Sequence, residues 1–271
     1  MMVRSEEQIF ASAISGTPLS EWEPGKKFLA MSDRSMFVFD PSSLSGVPTD
    51  SVRGRVLQFA GYESRITPDL KEECVILFSD GSSIYRYNTG RPVAEALSEI
   101  VSSKMPLLAD VDLAHAWSEK LDGRSLWTKS NLWYDEAGKR KDGLKYVEVK
   151  VIGVMPSDGD FPMKVKISRD GEVSYMYMNY TSDIADSRNF AALFFLDDPH
   201  ARYPRVSDDN WRLIQSGKVG IGMSKEECKL AIGNPDDINA GRTSSQTVDL
   251  WQYADGTYLF FTDGILTSFR Q

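Results

Sequence analysis

Gly217-Lys218-Val219-Gly220-Ile221-Gly222-Met223-Ser224-Lys225-Glu226-Glu227-Cys228 leads into Ile232-Gly233-Asn234-Pro235, then into Leu250-Trp251-Gln252-Tyr253 and Leu259-Phe260-Phe261-Thr262-Asp263-Gly264. Ser224 with Glu227 three residues on is a capping box, in which each side chain bonds the other's backbone amide. Cys228, Ala231 and Ile232 recur at helical spacing and form the inward stripe of a helix over Lys225 to Ile232. Gly233 stands where a left-handed residue ends a helix, and Pro235 prevents continuation. Val248, Leu250 and Gln252 then alternate with Asp249, Trp251 and Tyr253, the two-residue period of a strand. Asp255-Gly256 and Asp263-Gly264 turn the chain into a meander of roughly Val248–Tyr253, Thr257–Thr262 and Ile265–Phe269. Its links are too short for a parallel crossover, so the sheet is antiparallel. One exposed face or edge of it is the expected partner surface.

In that order, capped helix, Gly/Pro stop and meander, the segment resembles the SmpA/OmlA (BamE-like) domain of bacterial envelope lipoproteins. The matching positions are Gly217, Gly222, Met223, Gly233, Pro235, Trp251 and Tyr253, all architectural. The resemblance implies an α+β unit over residues 204–271 and a role in protein–protein association at a bacterial cell envelope, with no catalysis. Two features depart from the family: no lipidation cysteine stands near the start, and residues 1–203 precede the domain. Inhibitor proteins that bind an enzyme share this compact fold, so the fold does not fix the partner.

The first two thirds contain a diverged tandem repeat. One copy has Phe28-Leu29-Ala30, Met36-Phe37-Val38-Phe39, Val56-Leu57-Gln58-Phe59 and Val75-Ile76-Leu77-Phe78-Ser79-Asp80-Gly81, ending in Tyr85-Arg86-Tyr87. The other has Leu126-Trp127-Thr128, Leu132-Trp133-Tyr134, Val147-Glu148-Val149 and Val165-Lys166-Ile167-Ser168-Arg169-Asp170-Gly171, ending in Tyr175-Met176-Tyr177. Asp-Gly between two β-type runs is the signature of a two-residue type I′ hairpin, expected at 80–81, 170–171 and 263–264. About five short strands per copy make each similar to a bacterial SH3-like barrel. The expected fold is therefore mainly β with short helices. An SH3-like unit with flanking helices spans 1–107, a second spans 108–203, and the BamE-like unit follows. Helices are expected after the capping box Ser5-Glu6-Glu7-Gln8, over Pro92 to Ser103 behind Thr89, and along Leu113, Ala116, Trp117 and Leu121. The boundary falls in Asp197-Asp198-Pro199-His200-Ala201-Arg202-Tyr203-Pro204.

Bulk composition narrows the function. The chain has 271 residues, 41% hydrophobic and 26% charged, ordinary for globular protein, and its net charge of −8 disfavours nucleic acid as a partner. Gly138-Lys139-Arg140-Lys141-Asp142-Gly143 reads as a charged hairpin tip rather than a phosphate-binding patch. No run approaches the roughly 20 apolar residues of a membrane span. Met1 to Gln8 has neither a hydrophobic signal core nor a lipobox cysteine. A cytoplasmic location is expected for the chain as written, and a periplasmic or envelope one if a signal segment was removed.

Chemistry is sparse. Cys74 and Cys228 read as small buried hydrophobes, and His115 and His200 lie far apart in sequence, without ligand spacing. Ser224 belongs to a helix cap rather than a nucleophile elbow, Gly217-Lys218-Val219-Gly220 lacks the spacing of a phosphate loop, and Ser157-Asp158-Gly159-Asp160 lacks the closing glutamate of a calcium loop. No metal or organic cofactor is expected. The partner-binding candidates are aromatic: Trp127, Trp133, Tyr134, Tyr175, Tyr177 and Trp251, because Trp and Tyr dominate binding hot spots. The same residues also read as core, since a strand carrying Tyr175 and Tyr177 on one face and Met176 and Met178 on the other is apolar on both sides. The leading expectation is a non-catalytic interaction or scaffold protein with a protein or peptide partner. The alternative is an enzyme or small-molecule binder with its site between modules.

Overall fold

The computed structural model describes residues 4–41, 52–181, 186–242 and 245–270. Met1–Val3, read above for a signal segment, lie outside them. The chain is mainly β with short helices, the coarse class expected from its patterning. In chain order it runs α1 (Glu6–Ser12), β1 (Lys27–Ala30), β2 (Val56–Ile66), β3 (Glu72–Ser79), β4 (Ile84–Asn88), α2 (Val93–Glu99), β5 (Leu108–Asp110) and α3 (Val111–Leu121). Next come β6 (Ser125–Thr128), β7 (Leu132–Tyr134), β8 (Arg140–Asp142), β9 (Glu148–Pro156), β10 (Met163–Arg169), β11 (Glu172–Met178), α4 (Phe190–Leu193) and β12 (Phe194–Phe195). Last are α5 (Asp208–Gln215), α6 (Lys225–Ile232), β13 (Asp237–Arg242), β14 (Thr247–Gln252), β15 (Tyr258–Thr262) and β16 (Ile265–Arg270). Two compact units form: Met1–Ser125 with Val149–Leu196, and Leu126–Glu148 with Asp197–Gln271. Among the described residues, no helix is long and apolar enough to cross a membrane.

The first unit holds an antiparallel sheet in the order β4-β3-β2-β1-β5. Its core is an aromatic stack, with Trp22 4.9 Å from Phe28 and 5.3 Å from Phe59, Phe28 5.5 Å from Phe78, and Phe39 5.4 Å from Tyr85. The tilted and edge-to-face contacts suit ring quadrupoles and add to the apolar burial. β2 slips register between Phe59 and Gly61, where Gly61 takes φ +129°, and such a bulge bends its strand and strengthens the twist. Cys74 in β3 is fully buried and free, and burial pushes its thiol up.

A second sheet region of this unit is the meander β9-β10-β11, with Val151, Val165, Ile167 and Met176 buried on one face. Ser118 of α3 accepts the Val154 amide of β9 at 3.1 Å. Trp117 of α3 meets Phe190 at 5.4 Å, and Phe10 of α1 meets Phe190 at 5.0 Å. Asp110, 1% exposed, holds the junction between β5 and α3. Its carboxylate accepts the Leu113 amide as N-cap at 3.1 Å and the Lys26 ammonium at 3.0 Å, while its carbonyl accepts the Tyr180 hydroxyl at 2.8 Å. A buried charge so placed has a counter-ion and satisfied lone pairs, which offsets its desolvation.

In the second unit, the segment after the hairpin β7-β8 packs against the C-terminal helices. The Lys145 amide donates to the Gln215 carbonyl at 2.9 Å, and Tyr146 lies 5.7 Å from Trp211. Lys145 Nζ donates at 2.8 Å to the Ala231 carbonyl in the last turn of α6, where a cation is favoured. Burial lowers the pKa of this lysine.

The three Asp-Gly pairs divide. Asp170-Gly171 (φ +51°, +83°) and Asp263-Gly264 (φ +48°, +83°) form two-residue hairpins, with Arg169 opposite Glu172 and Thr262 opposite Ile265. Both angle pairs have the sign a type I′ turn requires. Asp80-Gly81 instead lies in a four-residue loop, Ser79 opposite Ile84. Asp80 Oδ1 accepts the Ser82 and Ser83 amides, each at 2.9 Å, so the side chain builds the turn and only Gly81 takes a positive φ. α2 is shorter than expected, ending at Glu99 with Pro92 as N-cap, while Thr89 donates to the Cys74 carbonyl instead.

Two outcomes follow from these turns. Gly171→Val forces a β-branched residue to positive φ, and the expected loss is about 1 kcal/mol or more in urea unfolding. Burial alone would raise the Asp80 carboxyl, but hydrogen bonds from the Tyr85 hydroxyl, the Ser82 amide and hydroxyl and the Ser83 amide outweigh it and hold it well below 3.8. A depressed carboxyl contributes stability above its ordinary pKa and loses it as pH falls toward the folded value. Asp80→Asn is therefore expected to reduce the stability difference between pH 7 and pH 3, measured by urea unfolding at both.

Candidate functional site

The C-terminal unit presents the surface with the clearest functional geometry. α6 begins at Ser224 and ends at Gly233 (φ +90°), as its sequence specifies. Ser224 Oγ accepts the Glu227 amide at 3.2 Å, and Glu227 Oε2 accepts the Ser224 amide at 2.7 Å. Cys228 and Ala231 are fully buried beneath it, and burial raises the Cys228 thiol to about 12. The sheet it covers is antiparallel in the order β13-β14-β15-β16. Tyr253, just past β14, donates to the Gly233 carbonyl at 3.1 Å, tying strand end to helix end; burial pushes this phenol up to about 12.

Pairing register divides the side chains between two faces. Trp251 stands opposite Leu259, and Asp249 opposite Phe261; with Leu266 these apolar residues are buried on the helix side. Lys225 of α6 donates to Asp249 there. On the far face Leu250 stands opposite Phe260 and Val248 opposite Thr262, and none of the described helices of the unit covers them. Val248 is 38%, Phe260 43% and Ile265 44% exposed.

This outer face is hollowed into an open depression of about 470 Å³, lined in part by Asn239, Gly241, Val248, Leu250, Phe260 and Thr267. Two local features shape it. A register shift at Phe260/Phe261 inserts Thr267 as an extra residue in β16, and its hydroxyl donates to the Phe260 carbonyl at 3.1 Å; such bulges bend strands and occur beside binding sites. At Gly241 a Cβ would come within 3.2 Å of Val248 Cγ2, so the missing side chain keeps the depression open. Its end row, Asp237, Gln252, Tyr258 and Arg270, carries one charge of each sign, leaving the face uncharged on balance.

The six aromatic candidates do not gather on this face. Trp133, Trp251 and Tyr175 are buried, with Trp251 packed 4.6 Å from Phe261 and Trp133 Nε1 donating to the Ser130 carbonyl. Trp127, Tyr134 and Tyr177 are half-buried. Trp127 meets His200 at 5.3 Å, the His200 ring lies tilted 4.3 Å from Trp211 and bonds Asp198, and Tyr177 lies 6.3 Å from Phe161. Tyr175 and Tyr177 belong to the first unit, the other four to the second. The strand β13 was not anticipated from the sequence: Ile238 and Ala240 are its only alternating apolar positions, and all six of its residues are exposed in the structure. The outer-face residues did have one: Val248 and Leu250 beside Trp251 make β14 apolar on both faces.

His115, on α3, is exposed beside Glu119. Among the described residues no group of three or more His, Cys, Asp or Glu side chains is placed to hold a metal. The chain matches no family model, no curated protein and no solved structure.

Ser224→Ala removes one arm of the cap and is expected to cost about 1 kcal/mol in thermal or urea unfolding. A change of a few tenths or less would mean that the cap does not hold α6 to the sheet.

Proposed function

We propose that this is a non-catalytic interaction protein that docks an amphipathic helix of a protein partner on the outer face of its C-terminal sheet. The observation that carries the reading is the uncovered apolar row of Val248, Leu250 and Phe260 opposite the face that α6 already covers. Four strands about 4.8 Å apart and six residues long at about 3.4 Å each give a footprint of roughly 400 Å². A stable folded interface needs about 800 Å² from each partner, so the face suits a segment rather than a second globular surface. A helix about 10 Å wide and 13 residues long spans roughly 20 Å and fits across it. The balanced charge of Asp237 and Arg270 favours an apolar stripe over a charged one. The resemblance of the capped helix and meander to the SmpA/OmlA domain supports an associative role at a bacterial envelope.

Phe260→Asp and Ile265→Asp place charge on this face without touching the core. The partner recovered from native cells with the unaltered protein should bind the purified double variant at least about tenfold more weakly by calorimetry. Unfolding free energy should stay within about 0.5 kcal/mol, as for ordinary surface changes. Equal affinity for the double variant would sink the reading.

A further inference from the structure

We infer that the depression between the edge of β8 and the turn after α5 binds a phosphate group, as the free anion or as a small ester. The depression has a volume of about 290 Å³ and lies within the second unit; among the residues lining it are Asn131, Arg140, Lys141, Gly143, Ser216 and Lys218. Three cations meet one carboxylate, Asp142, in a chain whose net charge is −8. Arg140 and Lys218 are exposed, and among the described residues neither is engaged by a carboxylate. The half-buried Asn131 amide likewise has no hydrogen-bond partner among them.

Gly143, which lines the cavity, and Gly217, between the lining residues Ser216 and Lys218, let the surrounding backbone pack closely on Asn131. A Cβ at Gly143 would lie 2.4 Å from the Asn131 carbonyl oxygen and 2.5 Å from the Trp133 ring, so no larger residue fits. Gly217 has φ +68°, and a Cβ there would meet Asn131 Nδ2 at 3.3 Å. These close approaches hold Asn131, itself a lining residue, between the two backbone segments.

These are the parts that phosphate recognition needs. A planar guanidinium can bond two phosphate oxygens at once, a lysine supplies a mobile charge, and a neutral amide donor fixes orientation. Water occupies about 30 Å³ in the liquid, so the cavity holds a phosphate and several further heavy atoms. The sequence shows Lys139, Arg140 and Lys141 only as a charged tip. Folding adds Lys218, Ser216 and Asn131 to that tip, and Lys139 does not line the cavity.

Calorimetry on the full chain at low ionic strength, with inorganic phosphate and with glycerol phosphate as separate titrants, tests this. Saturable binding is expected for at least one of them. Arg140→Gln with Lys218→Gln should weaken it about tenfold or more, Lys218→Arg should keep most of it, and Lys139→Gln should leave it within about twofold. Tighter binding of glycerol phosphate identifies an ester as the ligand, and equal or weaker binding identifies the free anion. No saturation by either titrant up to on the order of 10 mM overturns the assignment. So does unchanged affinity in the double variant, or an equal loss from Lys139→Gln. The melting temperature of each variant without phosphate separates lost binding from lost fold.

Discussion

A single short helix cannot cover both faces of a four-stranded sheet, and the form of the C-terminal unit follows from that limit. α6 is eight residues long, about 12 Å of helix, and it seats Cys228 and Ala231 on the side where Trp251, Leu259, Phe261 and Leu266 point. The opposite side keeps its apolar residues in water. Burying a Phe or Leu side chain is worth about 1.5–3 kcal/mol, so an uncovered row of this kind is a standing drive toward association. The capping box and the Tyr253–Gly233 bond fix which side is covered, because they anchor both ends of the helix.

The first unit is organised differently, around charges that are buried and answered. Asp110 receives Lys26, the Leu113 amide and the Tyr180 hydroxyl; Asp80 receives Arg55, Tyr85 and its own turn. In both cases an aspartate at a strand end uses backbone amides as its first partners and distant side chains as its second. Each local turn or cap is thereby tied to residues far away in the chain. Arg65 does the same from the other direction, bridging Asp40 and Glu73. Removing one partner of such a buried pair leaves the other uncompensated, which costs more than the pair itself contributes.

What was legible in the sequence was local. Ser5 with Gln8 and Ser224 with Glu227 are capping boxes in the structure, because a cap needs only residues three apart. Asp170-Gly171 and Asp263-Gly264 are two-residue hairpins, because both residue types tolerate the positive φ such a turn needs. Asp80-Gly81 has the same dipeptide and a different turn, since the serines that follow offered Asp80 better hydrogen bonds than the ladder did. Cys74 and Cys228 are buried and free, as their apolar neighbours indicated.

Where a local signal is silent, packing alone decided. β13 has only Ile238 and Ala240 as alternating apolar positions, both exposed, and it pairs with the edge that β14 offers. Lys145 and Tyr146, just past the hairpin β7-β8, join the C-terminal helices by backbone and aromatic contacts that no period in the sequence encodes. Trp133 and Trp251 are large enough to anchor a partner or to fill a core, and the register that buries them is a pairing between strands rather than a property of either. The sequence by itself determined the caps, the turns and the mainly β class, since these are settled within a few residues. Which face stays open, and which cations meet around Asn131, the tertiary structure decided, because both depend on side chains brought together across long stretches of chain.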